Sequence, residues 1–241
     1  MNLTINSLGQ GTPLVFFHGW GFDHSIWSPL ARSIGDRFTV YLVDLPGFGQ
    51  SDAMDWELFK SLLLKQLPEH FAVVGWSMGG LFATRLAIEE QLRVTHLLNV
   101  GTSPRFLKDG EWPGVEKNIL ETFFRNLSEN PKQTIEEFVG LQLQKSDYQH
   151  VENAIPSMEG LEKGLQVLAD WDLRGPLHNL KIPVCYIFGR LDSITPRATL
   201  KAMQQVYQSF EYIMFNKAAH IPFLTHPAEF ADELFRFMTK G

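Results

Sequence analysis

A serine stands between two glycines in Gly75-Trp76-Ser77-Met78-Gly79, directly after the apolar run 71–76 and before a segment with helical spacing. A G-x-S-x-G pattern between a strand and a helix presents a hydroxyl at a sharp chain reversal. Side chains at the flanking positions would collide in such a turn, so both are glycine. A serine hydroxyl is a weak nucleophile until a base takes its proton, so the pattern calls for a histidine and an orienting acid, both expected after position 77. Asp192 in "YIFGRLDSITP" is the strongest acid, because it follows a strand run and so belongs to the carboxyl edge of the sheet. Asp170 and Asp172 are weaker, being embedded in helical sequence. His220 in "FNKAAHIPFLTHP" is the strongest base, since it follows the last strand run and precedes the C-terminal helix, whereas His226 before Pro227 reads as a helix-start residue.

Negative charge developing on an attacked carbonyl needs N–H donors. The start of the helix offers one at Met78, and His18-Gly19-Trp20-Gly21, after the run 13–19, offers a second at Trp20. A plain tight turn is the other use of such a stretch. His18 itself then reads as structural. His24, His70, His96, His150 and His178 show no H-x-x-x-H or Cys/His spacing and read as surface or packing residues, so no metal is expected. The single Cys185, inside "PVCYIFG", reads as a buried packing residue, consistent with a reducing cytoplasm.

The elements that must position these groups are legible as alternation. Apolar runs at 13–19, 38–47, 71–76, 94–101, 182–189 and 210–215 read as buried parallel strands, and 55–67, 78–90 and 197–207 as helices between them, which predicts a doubly wound α/β sheet. The alternation stops near Pro104 and resumes near Pro183. Residues 104–176 read as a helical insertion, leaving 1–103 and 177–241 as the core. The net charge of −6 and the lack of any Lys/Arg run argue against nucleic acid, and no stretch has the length and apolarity to span a bilayer. A cytoplasmic monomer is expected.

The motifs "FFHGWG" (16–21), "LVDLPGFGQS" (42–51) and "GWSMGGL" (75–81) resemble those of the α/β-hydrolase superfamily over the whole chain. "SPRF" with "EWPG" (103–106, 111–114), "EEFVGLQ" (136–142) and "KAAHIPFLTHPAEF" (217–230) are similar, more narrowly, to the pimeloyl-[acyl-carrier protein] methyl ester esterases of biotin synthesis. That resemblance implies an α/β-hydrolase fold with 104–176 as its lid. It implies Ser77, Asp192 and His220 as a triad, Trp20 and Met78 as oxyanion donors, and Phe138, Val139, Gly140, Leu141 and Gln142 as lid contacts to the substrate chain. The implied reaction is hydrolysis of the pimeloyl methyl ester on an acyl carrier protein, with methanol released and no cofactor. A general carboxylesterase, a carbon–carbon bond hydrolase and a non-enzymatic ligand receptor of the same fold are the alternatives.

The chain departs from that family where its lid presents arginines to the acidic carrier: the matching positions are Gln133 and Glu137, and the lid shortens after Gln144. Residues 104–176 hold eight Lys/Arg against thirteen Asp/Glu, so −5 of the total charge lies there. Such a lid repels an acidic partner overall, leaving Arg105, Lys108, Lys117, Arg125, Lys132 and Lys145 as the cations from which a local patch could be built. An acyl chain requires an apolar pocket, for which Trp20, Trp76, Phe106, Phe138 and Leu141 are the candidates; Trp76 and Phe106 serve equally well as core.

Overall fold

The computed structural model describes residues 1–142 and 156–240. Seven strands form one sheet: β1 (Ile5–Gly9), β2 (Thr12–Phe17), β3 (Phe38–Val43), β4 (Phe71–Trp76), β5 (Val94–Val100), β6 (Val184–Gly189) and β7 (Glu211–Phe215), in the order β1-β3-β2-β4-β5-β6-β7. All neighbours are parallel except β1 on β3. The central strands read as unbroken apolar runs because both faces are covered. Val15 and Phe17 of β2 enter one core cluster, and Leu14 and Phe16 enter the other, as a period of two requires.

The first cluster is sealed by α2 (Trp56–Gln66), α3 (Met78–Glu89) and α8 (Arg197–Val206), which contribute Phe59, Leu86 and Met203; the second by α1 (Ser28–Ile34), α9 (Pro222–Thr225) and α10 (Pro227–Met238), through Leu30, Phe223 and Phe230. The sheet is thus the expected doubly wound, mostly parallel one. β1 and α1 were not foreseen. The segment "INSLG" of β1 is an edge with one intermediate residue at either side of two exposed ones, so it carries no apolar run to betray it.

Between β5 and β6 the chain forms α4 (Lys117–Glu129), α5 (Pro131–Gln142), α6 (Met158–Asp170) and α7 (Arg174–Leu177). Ser157 anchors this segment to the core: its hydroxyl accepts from Gly160 N–H at 3.0 Å, capping α6, and donates to the Gly47 carbonyl at 3.0 Å. Lys145, His150 and the stretch after Gln144 fall outside the described residues. Among the described residues no helix is long and apolar enough to cross a membrane.

Candidate active site

Strand order decides where the chemistry can sit. The connection after β2 leads to β3 on one side, and the connection after β4 leads to β5 on the other, so a crevice opens between the carboxyl ends of β2 and β4. His18-Gly19-Trp20 leaves the first of these ends and Ser77 the second. A Cβ on Gly19 would lie 3.3 Å from Ser77 Cβ, which shows how closely the two turns approach.

Ser77 has φ 54° and ψ −122°, the only positive φ outside glycine among the described residues. Its turn is held from three sides. Ser77 N–H donates to the Val100 carbonyl at 2.9 Å, and its own carbonyl accepts from Gly80 N–H at 2.9 Å and from the Thr102 hydroxyl at 2.8 Å. A Cβ on Gly75 would lie 2.4 Å from the Gly79 carbonyl oxygen, and one on Gly79 2.4 Å from the His18 carbonyl oxygen, so neither flanking position accepts a side chain. Such a strained conformation persists only where its surroundings over-determine it.

His220 reaches the same place from the loop after β7. Its ring lies against Gly101, where a Cβ would be 3.0 Å from Nδ1; Gly101 directly follows Val100, the residue that holds Ser77 N–H. Trp76 Nε1 donates to the His220 carbonyl at 2.9 Å, tying this loop to the strand that carries the serine. His220 Nδ1 meets Asp192 Oδ2 at 2.8 Å, while Nε2 is buried without a hydrogen-bond partner among the described residues, Ser77 Oγ included. Resting enzymes often leave this last contact loose until substrate arrives.

Asp192 is shaped by its own loop. Oδ1 accepts from Ile194 N–H at 2.8 Å and Thr195 N–H at 3.0 Å, and Oδ2 from the Thr195 hydroxyl at 2.5 Å as well as from His220. Burial pushes its carboxyl up, but the adjacent His220 and the hydrogen bonds from His220 and Thr195 outweigh that and hold it below the usual aspartate value. Thr195 and Thr102 were not singled out from the sequence. Asp-Ser-Ile-Thr is an Asx-turn pattern and could have revealed Thr195; nothing local marks Thr102.

Trp20 and Met78 both flank the serine, and their backbone N–H groups donate to nothing among the described residues. Trp20 is buried, its Nε1 donating to the Leu161 carbonyl of α6 at 2.9 Å and its ring edge-on to Phe123 of α4 and Phe138 of α5. His18 is structural: Nδ1–H donates to the Gly19 carbonyl at 2.8 Å and Nε2 accepts from Leu45 N–H at 3.0 Å, the neutral tautomer that burial also favours by lowering its pKa.

Ser77 opens onto a cavity of about 500 Å³. Three helical stripes wall it: Ile119, Leu120 and Phe123 from α4, Thr134, Phe138 and Leu141 from α5, Leu165 and Leu168 from α6. Trp20 and Phe106 complete the apolar lining, and Ser193, Ile194 and Pro196 border it from the Asp192 loop. Of the residues placed on the lid by resemblance, Phe138 and Leu141 line the cavity; Val139, Gly140 and Gln142 do not. Val139 packs against the second core cluster, Gly140 is exposed, and Gln142 is buried with Nε2 turned to the Phe138 carbonyl at 3.4 Å. A spacing of three, not a contiguous run, faces one side of a helix. Trp76 also departs from the pocket reading: it belongs to the core under the site, edge-on to Phe22 and Phe223.

The remaining candidates lie elsewhere. Asp172 is taken by Arg174, and Asp170 lines a separate cleft beside Trp171. His226 stands at the start of α10 without capping it, Nδ1 meeting the Thr225 hydroxyl at 2.8 Å. Asp23, His24 and Asp44 bring ligand atoms close enough for a metal, yet Asp44 spends its carboxylate on the backbone N–H groups of His24 and Gln50 and on His24 Nδ1, which fixes the loop 44–50. Cys185 is buried, and burial pushes its thiol up, away from nucleophilic use.

An acid, an imidazole and a strained serine at the switch point of a doubly wound sheet define the serine-hydrolase type of α/β protein. Comparison agrees: the model of the alpha/beta hydrolase family matches residues 14–233, and the chain belongs to that family. It is 49% identical over 238 residues, 99% of this chain and all of the relative, to a protein of Legionella pneumophila (strain Corby) named pimeloyl-[acyl-carrier protein] methyl ester esterase. It is 36% identical to a protein of the same name from Aeromonas hydrophila, over 99% of this chain and all of that one. Among solved structures it resembles an esterase from Exiguobacterium antarcticum, with a TM-score of 0.88, 20% identity and coverage of 99% and 96%, a likeness of fold.

Proposed function

We propose that the protein is a serine carboxylesterase that removes the methyl ester from a pimeloyl chain carried on an acyl carrier protein, in biotin synthesis. One observation carries the reading: a strained, buried-turn serine lies on the floor of a long apolar cavity, beside an Asp-His pair. Full-length relatives named for this reaction support the substrate.

His220 Nε2 takes the Ser77 proton as Oγ attacks the ester carbonyl; the Trp20 and Met78 N–H groups, which have no other partner among the described residues, receive the oxyanion; methanol leaves with the proton from Nε2. Water repeats the sequence on the acyl-enzyme. Asp192 holds His220 with its proton on Nδ1 and stabilises the imidazolium. The helices α4–α6 act as a lid, and their apolar stripes hold the methylene chain at about 0.8 kcal/mol per CH₂, roughly 4 kcal/mol for five.

Purified protein should release methanol from the carrier-bound methyl ester, and a biotin-requiring strain lacking its own esterase should grow when given the wild-type protein and not Ser77→Ala. Equal turnover of carrier-bound and simple methyl esters, with no rescue, would reassign it as a general carboxylesterase. A monomer in the cytoplasm accompanies this reading, supported by the lone buried cysteine; size-exclusion chromatography with light scattering measures the first.

A further inference from the structure

A carrier-bound substrate must be met by a surface as well as a pocket, and the helices over the site are poorly charged for the task. Their segment carries −5, and its described cations are already engaged. Lys108 pairs with Glu116, Lys117 with Glu121, Lys132 with Glu136 and Arg174 with Asp109 and Asp172. Arg105 is turned to the carbonyls of Ala169 and Asp170, and Arg125 bonds the Thr122 hydroxyl. Of the lid's cations only Arg105 and Arg125 lack an acidic partner among the described residues, too few to make a basic patch.

Positive charge is concentrated instead at the other side of the same rim. Arg190 follows β6, and Arg197 and Lys201 occupy the first two turns of α8. With Gln204 and Asn216 above a floor of Leu200 and Met214, they line a groove of about 390 Å³. Arg190, Arg197, Lys201 and the neighbouring Lys217 are exposed, and among the described residues none has an ion-pair partner. The acids nearest in sequence are committed: Asp192 is buried on His220, and Glu211, at the opposite end of β7, is held by Arg236 and Lys240. The α8 N-terminus has no acid in its first turn and no capping side chain, and cations there oppose the helix dipole, so helix stability does not account for them.

The groove and the acyl cavity lie on either side of one loop. Arg190 and Arg197, at the two ends of one loop, line the groove, whereas Ser193, Ile194 and Pro196 between them line the cavity. We propose that this groove docks the acidic face of the carrier protein, whose acyl arm crosses the 190–197 loop to reach Ser77. The proposal rests on the carrier-bound ester being the substrate.

The double reversal Arg197→Glu/Lys201→Glu tests it. On the carrier-bound methyl ester kcat/KM should fall about tenfold, through KM, while hydrolysis of p-nitrophenyl butyrate stays within about twofold. Added salt should raise the wild-type KM for the carrier substrate and have little effect on the variant's. Arg125→Glu/Lys132→Glu on the lid should leave both substrates alone. The groove is refuted as the dock if its reversal spares the carrier reaction, if the lid reversal causes the loss, or if both esters decline in parallel. Wild-type protein that uses the carrier-bound ester no better than the free one would instead sink the substrate reading, and the carrier dock with it.

Discussion

Replacing Asp192 by asparagine is the sharpest probe of the proposed chemistry, because the hydrogen bonds around the carboxylate dictate how the amide must sit. Oδ1 receives two backbone N–H groups, from Ile194 and Thr195, and neither can be removed or turned. The amide oxygen must take that position, which leaves the NH₂ on the side of the Thr195 hydroxyl and His220 Nδ1. Thr195 can adjust, since a hydroxyl accepts as well as donates. His220 can adjust only by giving up its Nδ1 proton, which moves to Nε2, the nitrogen that must be bare to receive the serine proton. The fold keeps its contacts while the base is in the wrong tautomer. A loss on the order of 10⁴ in kcat follows, about 5.5 kcal/mol of transition-state stabilisation, with KM nearly unchanged. Steady-state hydrolysis of p-nitrophenyl butyrate, read alongside a urea melt within about 1 kcal/mol of wild type, measures both halves. A variant retaining more than about a tenth of wild-type turnover would refute the tautomer argument.

Ser77→Gly should abolish activity and fluorophosphonate labelling yet raise the unfolding free energy by about 1 kcal/mol, because relief of a φ of 54° exceeds the entropy cost of glycine; a destabilised variant in denaturant melts would count against stored strain. Gly164→Ala places a methyl 2.7 Å from Trp20 Cδ1 and 3.0 Å from Met78 Sδ, so kcat/KM should drop with a stability loss of about 1–2 kcal/mol, and unchanged kinetics would mean that α6 does not set the Trp20 position. Burial lowers the His18 pKa, so below about pH 6.5 the unfolded chain binds a proton that the folded imidazole refuses, and stability declines as pH falls from there toward the folded value. Wild type should lose more unfolding free energy than His18→Asn between about pH 7.5 and 5, and parallel curves would exclude this source.

Much of the fold was legible because both faces of its sheet are covered: the five inner strands must be apolar at consecutive positions, and the helices between them must carry a stripe. β1 escaped because an edge strand with half-exposed residues has no such obligation. The G-x-S-x-G turn was equally legible, since no residue but glycine fits against the Gly79 and His18 carbonyls. Asp192 and His220 could be ranked by their positions after strands, as the six parallel strands β2–β7 deliver their carboxyl ends to one rim.

Which face a residue presents, and whom it meets, belonged to the tertiary structure. Phe138 and Leu141 look into the cavity while Val139 and Gln142 look away, because the rotation of α5 is set by Trp20 and Phe123 packing on it. Trp76, two residues into the motif, turned out to brace the His220 loop from beneath. Charge placement was decided in the same way: the lid's lysines could be counted along the chain, but a helix brings residues four apart together and so neutralises Lys117 and Lys132 on their own surface, while the rim groove that holds Arg190, Arg197 and Lys201 is closed by Met214 and Asn216 only once β7 pairs with β6. Covalent order fixes local periodicity and turn chemistry; distances between remote side chains exist only once burial of the two core faces has closed the chain.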